Sequence, residues 1–488
     1  MEIKNIKRLF FRNLGARQTV LKNTFWLAFA EGISRLLELI LIVYIIRILG
    51  VVEYGKFSFA LAFVSIFVAF SDFGLSDIVT REISGDKEVE KDYPAILSLK
   101  IILSLATLIL ILFSSLFVTI DPSIRLIIFI LGSYALINDF FFIFYAFLRA
   151  RQKMEYEAGI KISRVIILVP AILFILLKFP SVYNVSYGYL FASLLSLVTV
   201  FLFFYLKIQL LKLNFNKIIW EKFFKLSWPL GLAGIFGMIF ISIDSVIMGY
   251  FGQIAQTGYY NASRKIIGSI ALPSTFIFMS FYPLLSKLFK KSKEELKRAW
   301  DYYMELMIIL SVPVAVGGFV LAPKIINFIF GLDFTSSILA FQILIFIAGI
   351  NFLYSSYVLI LIVSGQQKKY LWINLMGAAT NIVLNFILIP RYSLYGASVS
   401  AVITYVVLFI LGLEFSRRFT PIVPFNIRFL KILIMAALSA AIMILIITYP
   451  PVYRLNVIYV VFLGILIYFF VLFLLYKNIL KPGFLIKN

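Results

Sequence analysis

Residues 23–55 read NTFWLAFAEGISRLLELILIVYIIRILGVVEYG, an apolar stretch with three charges in its first half and a glycine at each end of its final turn. A helix needs about 20 apolar residues to cross the roughly 30 Å hydrocarbon core of a bilayer. Thirteen further stretches of comparable length follow, so we predict an all-α integral membrane protein with about 14 transmembrane helices. The predicted spans are residues 23–46, 57–80, 93–117, 125–148, 160–178, 183–206, 227–250, 257–286, 301–322, 337–362, 371–389, 394–415, 430–448 and 456–476.

Basic residues concentrate in every second gap between these spans. The chain carries 45 Lys and Arg and has a formal net charge of +22. If the N-terminus is cytoplasmic, 33 of the 45 fall in cytoplasmic segments and 7 on the opposite face. Short cytoplasmic loops accumulate Lys and Arg, so we predict a multi-pass protein of the cell membrane with both termini cytoplasmic. Charge spread over many loops suits contact with membrane lipids and argues against a nucleic-acid partner.

The composition excludes several kinds of chemistry. The chain has no cysteine and no histidine, which removes thiol nucleophiles, disulfides, Cys/His metal sites and imidazole acid–base catalysis. No phosphate-binding loop or dinucleotide fingerprint is present, and the gaps between spans are short. We therefore expect neither an enzyme nor a bound cofactor or metal. Coupling to Na⁺, H⁺ or the membrane potential stays open.

An internal repeat divides the predicted spans. Trp26, Gly32 and Gly50 have the same spacing as a second set 202 residues later, Trp228, Gly234 and Gly252. A weaker similarity links residues 149–152 to residues 364–367. The shift covers six spans, so the two copies would have the same orientation in the membrane. The predicted segments are a basic N-terminus (1–22), an N-lobe of six helices (23–206), a cytoplasmic linker (207–226), a C-lobe of six helices (227–415), and helices 13–14 with a cytoplasmic tail (416–488).

Charged residues inside spans are candidates for a binding site, because a charge in hydrocarbon costs several kcal/mol unless it faces a cavity or a partner. Glu31, Arg35 and Glu38 lie on one face of the first helix, at spacings of four and three. They either neutralise one another against a neighbouring helix or line a substrate cleft.

The other intramembrane cations allow two interpretations each. Arg81 and Arg164 lie near the cytoplasmic edge, where they could anchor a helix or contact substrate. The adjacent Arg264 and Lys265 could anchor a helix at the outer interface or form the rim of an anion site.

Three carboxylates are candidates for coupling to an ion. Asp72, Asp139 and Asp244 lie within predicted spans, and Asp244 has no charged neighbour within one turn of its own helix. Each could bind a cation or a proton, or pair with a cation on another helix.

Three stretches carry a resemblance to a known family. They are residues 23–55, residues 72–82 with Asp72-Phe-Gly74 and Thr80-Arg81-Glu82, and residues 381–397 with Asn381-Ile-Val-Leu-Asn385 and Tyr395-Gly396-Ala397. With the overall length, these stretches resemble the polysaccharide-precursor flippases of the O-antigen and teichoic-acid type. That family lies within the superfamily of multidrug, oligosaccharidyl-lipid and polysaccharide exporters.

The resemblance implies alternating access and movement of a polyprenyl-diphosphate-linked oligosaccharide to the outer leaflet. It implies a lipid-linked oligosaccharide as the main partner, with glycosyltransferases or a polymerase of the same pathway as further partners. Arg or Lys would bind the diphosphate. Two carboxylates beside one arginine on the first helix depart from a purely cationic cavity. A cation-coupled multidrug extruder of the same fold is the first alternative, and a membrane-embedded sugar-polymer ligase or polymerase is the second.

Overall fold

A computed structural model describes residues 13–207, 213–419 and 427–479. Within these ranges the secondary structure is α-helical apart from turns and two short 3₁₀ helices, and no strand occurs. Parts of the predicted N-terminus (1–12), linker (208–212) and C-terminal segment (420–426 and 480–488) lie outside the described residues. The helices are α1 Ala16–Asp72, α2 Leu75–Gly85, α3 Tyr93–Val118, α4 Pro122–Ala150, α5 Met154–Lys178, α6 Val182–Lys207, α7 Lys217–Tyr250, α8 Ile254–Ile270, α9 Leu272–Phe289, α10 Lys293–Phe330, α11 Ser337–Val363, α12 Gln367–Phe419, α13 Ile427–Ile447, α14 Pro450–Tyr453 and α15 Val457–Ile479.

The helices are those expected of a membrane protein. In the described part of the chain, eleven helical stretches are long and apolar enough to cross a bilayer. Many large apolar side chains point outward, as on α15, where Phe462, Phe470 and Phe473 are each more than half exposed. Such side chains are stable when they face lipid rather than water. The all-α membrane fold is therefore confirmed.

Helix α12 contains two predicted spans, and α1 contains the first span and residues 57–72 of the second, whose end lies in α2. Gly50 interrupts α1 with φ 71° and ψ −178°, between the predicted first and second spans. Ser393 interrupts α12 with φ 53° and ψ −132°, just before the predicted twelfth span. Glycine tolerates a positive φ because it has no Cβ, so the break at Gly50 has a clear local cause. The count of fourteen spans stays a prediction.

Local sequence explains where several helices begin. Asn216 precedes α7, and its side-chain oxygen accepts hydrogen bonds from the backbone N–H groups of Ile218 and Ile219. Asp121 precedes α4 in the same way, with its carboxylate 2.8 Å from the N–H of Ser123. Hydrogen bonds from the side chain and backbone of Ser123 hold the pKa of the Asp121 carboxyl below its ordinary value. Such caps satisfy N–H groups that have no partner within the helix.

The chain divides into two compact units, Met1–Gly258 and Tyr259–Asn488. In the first unit α1 packs against α3 to α7, and a buried aromatic cluster that includes Phe144, Phe147 and Phe204 fills the space beside α4. Helix α7, which contains the predicted seventh span, packs against α1 to α3. The lobe boundaries predicted from the repeat remain a prediction.

In the second unit α10 and α11 form the centre. The indole N–H of Trp300 on α10 donates to the carbonyl of Ser356 on α11 at 3.0 Å. The last helix is held by Tyr468, whose hydroxyl donates to the carbonyl of Ile309 at 2.8 Å. Arg428 on α13 forms an ion pair with Glu305 on α10. These contacts attach α13 and α15 to the helices that precede them.

One pair of positions matched by the repeat has nearly the same φ. Gly50 and Gly252 have φ values of 71° and 72°. The weaker similarity also corresponds to a shared turn, because Gln152 and Gly365 both have positive φ and both donate to the carbonyl three residues earlier. The shared turn aligns Gln152 with Gly365 rather than with Gln367, so the predicted register of this pair was wrong by two residues.

Candidate polar site in the first unit

A polar cavity of about 400 Å³ lies within the first unit, between α1, α4, α5 and α6. The predicted Glu31–Arg35–Glu38 face of α1 forms one wall. Two further cations from α5, Lys161 and Arg164, face the same space. The lining residues are Glu31, Ser34, Arg35, Glu38, Tyr134, Asn138, Phe142, Tyr145, Lys161, Arg164, Val165, Leu168, Ala192, Ser193 and Ser196.

Glu31 is shared between two cations at this cavity. Its Oε1 accepts from Nε of Arg35 at 2.6 Å, and its Oε2 lies 3.4 Å from Nζ of Lys161. The side chains of Glu31 and Arg35 are 38% and 53% exposed, so the pair is open to whatever enters the cavity. Glu31 and Arg35 therefore form an ion pair and also line the cavity, while contact of this face with a substrate stays a prediction.

Lys161 is positioned from behind by a buried carboxylate. Glu157, one turn earlier on α5, is fully buried and lies 3.2 Å from Nζ of Lys161. Arg149 at the end of α4 binds the same carboxylate through two hydrogen bonds of 2.8 and 2.6 Å. A bidentate arginine–carboxylate pair has a defined geometry, so it fixes Glu157 and through it Lys161.

Arg164 is held by aromatic residues rather than by a carboxylate. Its Nη1 donates to the hydroxyl of Tyr145 at 2.9 Å, and its guanidinium lies 4.0 Å from the ring centre of Phe141. A cation that stacks on an aromatic ring keeps its remaining N–H donors for other partners. Arg164 is thus well placed to bind an anionic group inside the cavity.

Two buried polar atoms of the cavity residues have no hydrogen-bond partner. They are Oγ of Ser34 on α1 and Oδ1 of Asn138 on α4. Buried polar atoms usually have a partner, because leaving one unpaired costs about 1–3 kcal/mol. A polar molecule in the cavity would supply such partners. Three cations and two carboxylates give the lining residues a net charge of +1, which favours an anion.

Two of the predicted ion-coupling residues come together next to this cavity. Lys100 on α3 is fully buried, and its Nζ lies 2.9 Å from Oδ1 of Asp72 and 2.5 Å from Oδ2 of Asp139. Ser71 donates to Asp139, and Ser76 donates to Asp72 at 2.6 Å. Asp139 directly follows the cavity residue Asn138 on α4. We call Asp72, Lys100 and Asp139 the buried triad.

The remaining predicted site residues lie elsewhere. Arg81 is on α2, is 62% exposed and pairs with the adjacent Glu82, so it is not among the residues of the polar cavity. Asp244 is buried on α7. Arg264 and Lys265 are on α8 in the second unit, where Arg264 contacts the hydroxyl of Tyr260 at 3.4 Å. Binding and coupling roles for these residues remain proposals.

Two cations that the structure places in or next to the site, Lys161 and Lys100, were not among the predicted site residues. Lys161 lies in the predicted span 160–178, and its spacing of four from Glu157 and three from Arg164 places all three on one helix face. Lys100 lies within the predicted span 93–117, but nothing in its local sequence points to Asp72 or Asp139. On α12, Nδ2 of Asn385 donates to Oδ1 of Asn381, one turn earlier on the same helix, at 3.0 Å.

A second cavity, of about 350 Å³, lies within the second unit between α10, α13 and α15. Its lining is almost entirely apolar and includes Val314, Met443, Ile465 and Phe469. It offers no charged group to an anion, so the polar cavity is the candidate site for a charged headgroup. In the described residues, no cluster of three or more Asp, Glu, His or Cys could hold a metal ion.

The structure resembles solved transporters. The lipid II flippase MurJ in its inward closed conformation matches with a TM-score of 0.76 and 18% identity, over 93% of this chain and 99% of that one. An inward-facing multidrug resistance MATE family transporter of the MOP superfamily matches with a TM-score of 0.63 and 15% identity, over 79% and 97% of the two chains. At these identities the likeness establishes the fold.

Sequence relatives point in the same direction. The capsular polysaccharide biosynthesis protein CapF of Staphylococcus aureus is 23% identical over 82% of this chain and all of its own length. The membrane protein MJ1068 of Methanocaldococcus jannaschii is 24% identical over 61% of this chain, which spans 60% of that relative. "Probable low-salt glycan biosynthesis flippase Agl15" of Haloferax volcanii is 24% identical over 39% of this chain and 41% of its own length. Residues 20–289 match the family described as "Polysaccharide biosynthesis protein", and because the match covers more than half of the chain, the chain belongs to that family.

Proposed function

We propose that this protein flips a polyprenyl-diphosphate-linked oligosaccharide from the cytoplasmic to the outer leaflet of the cell membrane by alternating access. The observation that carries the proposal is the polar cavity of the first unit, where Arg35, Lys161 and Arg164 face one space. A diphosphate has several anionic oxygens, and Arg and Lys bind such oxygens through charge-assisted hydrogen bonds.

The arrangement of the three cations suits an anion that binds in the cavity and is later released from it. Arg35 and Lys161 are both paired with Glu31, so the headgroup would replace a carboxylate that returns after release. Arg164 and the unpaired atoms of Ser34 and Asn138 would add hydrogen bonds to the diphosphate or the first sugar. The prenyl chain would stay in the bilayer, because its transfer to water would cost about 0.8 kcal/mol for each CH₂ group.

The family and the relatives named as flippases support transport of a glycan precursor. The predicted lobes, residues 23–206 and 227–415, would be the two parts that alternate, with both termini on the cytoplasmic side. Glycosyltransferases or a polymerase of the same pathway would supply or consume the lipid-linked glycan.

A flipping assay tests the proposal. The full-length protein is reconstituted in vesicles with a fluorescent polyprenyl-diphosphate sugar, and exposure of the dye to a membrane-impermeant quencher is followed in time. We expect faster exposure with the protein than without it. In Arg164→Ala the rate should fall about tenfold or more, because a hydrogen bond to a charged group contributes about 1.5–3 kcal/mol. Arg454→Ala, an exposed arginine in the turn after α14, is the matched control.

The same vesicles test the multidrug alternative. The carboxylates Glu31 and Glu38 in the cavity, together with the MATE-like fold, make a cationic substrate the second candidate. If a cationic dye is transported and no diphosphate lipid is, the flippase proposal is wrong. If Arg164→Ala and Arg454→Ala both flip the lipid as fast as the unmodified protein, the polar cavity is not the headgroup site.

A further inference from the structure

The buried triad has an unusual balance of charge. A single ammonium group, that of Lys100, lies between two carboxylates and is fully buried, while the side chains of Asp139 and Asp72 are 9% and 21% exposed. With both aspartates ionised the triad carries one uncompensated negative charge. A charge within the membrane costs several kcal/mol when no partner neutralises it.

Another buried carboxylate of the same unit has more cations around it than it needs for charge balance. Glu157 is fully buried and is contacted by two cations, Arg149 and Lys161. Asp72 and Asp139 together have one ammonium. The serine hydroxyls of Ser71 and Ser76 donate hydrogen bonds to them but bring no charge. One bound proton would neutralise the triad, and two carboxylates that share a site commonly hold one proton between them.

The surrounding charges do not supply the missing cation. The strongest electrostatic interactions of Asp72 and Asp139 are with Lys100, and that of Asp139 with Asp72 comes next. Asp77 on α2 interacts with Asp72 and adds negative charge, and Arg149 on α4 interacts with Asp77. Lys100 is therefore the cation that acts most strongly on both carboxylates, and it already belongs to the triad.

Helix α4 connects the triad to the polar cavity. Asp139 belongs to the triad, and the residue before it, Asn138, lines the cavity. Tyr134 and Tyr145 on the same helix also line the cavity, and Tyr145 binds Arg164. A change at Asp139 that shifts or rotates α4 would therefore move cavity residues as well.

We propose that Asp72, Lys100 and Asp139 bind one exchangeable proton, and that its presence is transmitted along α4 to the polar cavity. A carboxylate oxygen takes the proton from a hydronium ion, which leaves as water, and returns it to water on release. The transmission part rests on the proposed flippase function, whereas proton binding does not.

Infrared difference spectroscopy tests proton binding directly. The full-length protein, with its aspartate side-chain carboxyl groups labelled with ¹³C, is placed in nanodiscs, and spectra are recorded through a reversible pH titration. We expect a C=O band of a protonated, isotope-shifted aspartic acid that appears as the pH falls. Asp72→Asn and Asp139→Asn should each abolish it, because each leaves one carboxylate matched by Lys100. Asp121→Asn, at the exposed start of α4, should retain it.

The outcomes separate clearly. A wild-type protein without a pH-dependent aspartic acid band, or a band that survives in both Asp72→Asn and Asp139→Asn, overturns the proton site. Should either asparagine variant fail to fold, Asp139→Glu keeps the carboxyl group. In that variant the band should either remain at the frequency of labelled Asp72 or move to the frequency of unlabelled glutamate. If Asp72 is also replaced and the band keeps its frequency and size, the proposal is contradicted.

The transmission part is tested in the flipping assay. A pH step across the vesicle membrane should change the flipping rate of the unmodified protein severalfold and leave the rate of Asp139→Asn unchanged. An equal response of the two proteins overturns the transmission. If neither protein moves any diphosphate lipid, the flippase proposal fails, and the proposed transmission to the polar cavity fails with it. The infrared band still decides whether the triad binds a proton.

Discussion

Glu31 is the carboxylate that two cations of the polar cavity share. It accepts a hydrogen bond from Arg35 and lies 3.4 Å from Lys161, so it acts as an internal anion for both cations. Under the proposed function, an incoming diphosphate would compete with this carboxylate. The local pattern of Glu31, Arg35 and Glu38 on one helix face predicted the ion pair and the cavity wall, but not the second cation.

Glu31→Gln should strengthen the binding of inorganic pyrophosphate to the protein in nanodiscs by about fivefold. The reason is that a partly exposed ion pair contributes up to about 1 kcal/mol, and in this variant pyrophosphate no longer has to break the ion pair between Glu31 and Arg35. Titration calorimetry measures the change in Kd. The matched control is Glu53→Gln, which breaks the ion pair with Lys56 of 2.7 Å outside the cavity and should leave Kd unchanged. Weaker binding by Glu31→Gln would show that this carboxylate supports the site.

At the scale of elements, glycine positions decide where helices break and how closely they pack. Gly50 has a backbone conformation that is essentially restricted to glycine and separates two parts of α1. Gly55 and Gly258 have no room for a side chain, since an added Cβ would lie 2.1 Å from the carbonyl oxygen of Ile254 and 2.3 Å from that of Val51. Helices in membranes associate closely where small residues meet.

Gly50→Ala should destabilise the protein by about 1–3 kcal/mol, because alanine would be forced into a conformation that requires the absence of a Cβ. Its Cβ would meet no atom within 4 Å, so the cost is conformational and not steric contact with a neighbour. Thermal unfolding in detergent should show a lower Tm. Gly32→Ala, which is within regular helix and also has free space, should keep or raise the Tm. Equal Tm values for the two variants would contradict the assignment of the break to Gly50.

At the scale of the whole molecule, the distribution of Lys and Arg determines which loops are expected to face the cytoplasm. The structure agrees with a multi-pass membrane fold, and the solved structures that it resembles are membrane transporters. Because the chain contains no cysteine, a single introduced cysteine reports its own side of the membrane without background.

Lys290→Cys should be protected from a membrane-impermeant maleimide in intact cells, and Arg454→Cys should be labelled. The first lies in a gap predicted to be cytoplasmic, and the second lies in a gap predicted to be on the outer side. Both should react after the cells are broken open, which controls for access to the thiol. The reverse labelling pattern would show that the protein has the opposite orientation in the membrane to the predicted one.

Apolar length and charge distribution are properties of local sequence, and for that reason the helical membrane fold and the charged face of α1 could be predicted from residues alone. The break at Gly50 was anticipated only as a gap between two predicted spans. Bilayer thickness and the backbone freedom of glycine act on a few neighbouring residues at a time. The break at Ser393 had no such signal, because nothing about serine requires a positive φ.

The polar cavity and the buried triad depend on contacts between distant parts of the chain. Lys100 is 28 residues from Asp72 and 39 from Asp139, and Lys161 is 130 residues from Glu31. An ion pair requires its two groups to come within about 4 Å, a condition that helix packing creates and that spacing along one helix cannot express. Tertiary structure therefore decided which charges meet, and with them the candidate sites for the headgroup and the proton.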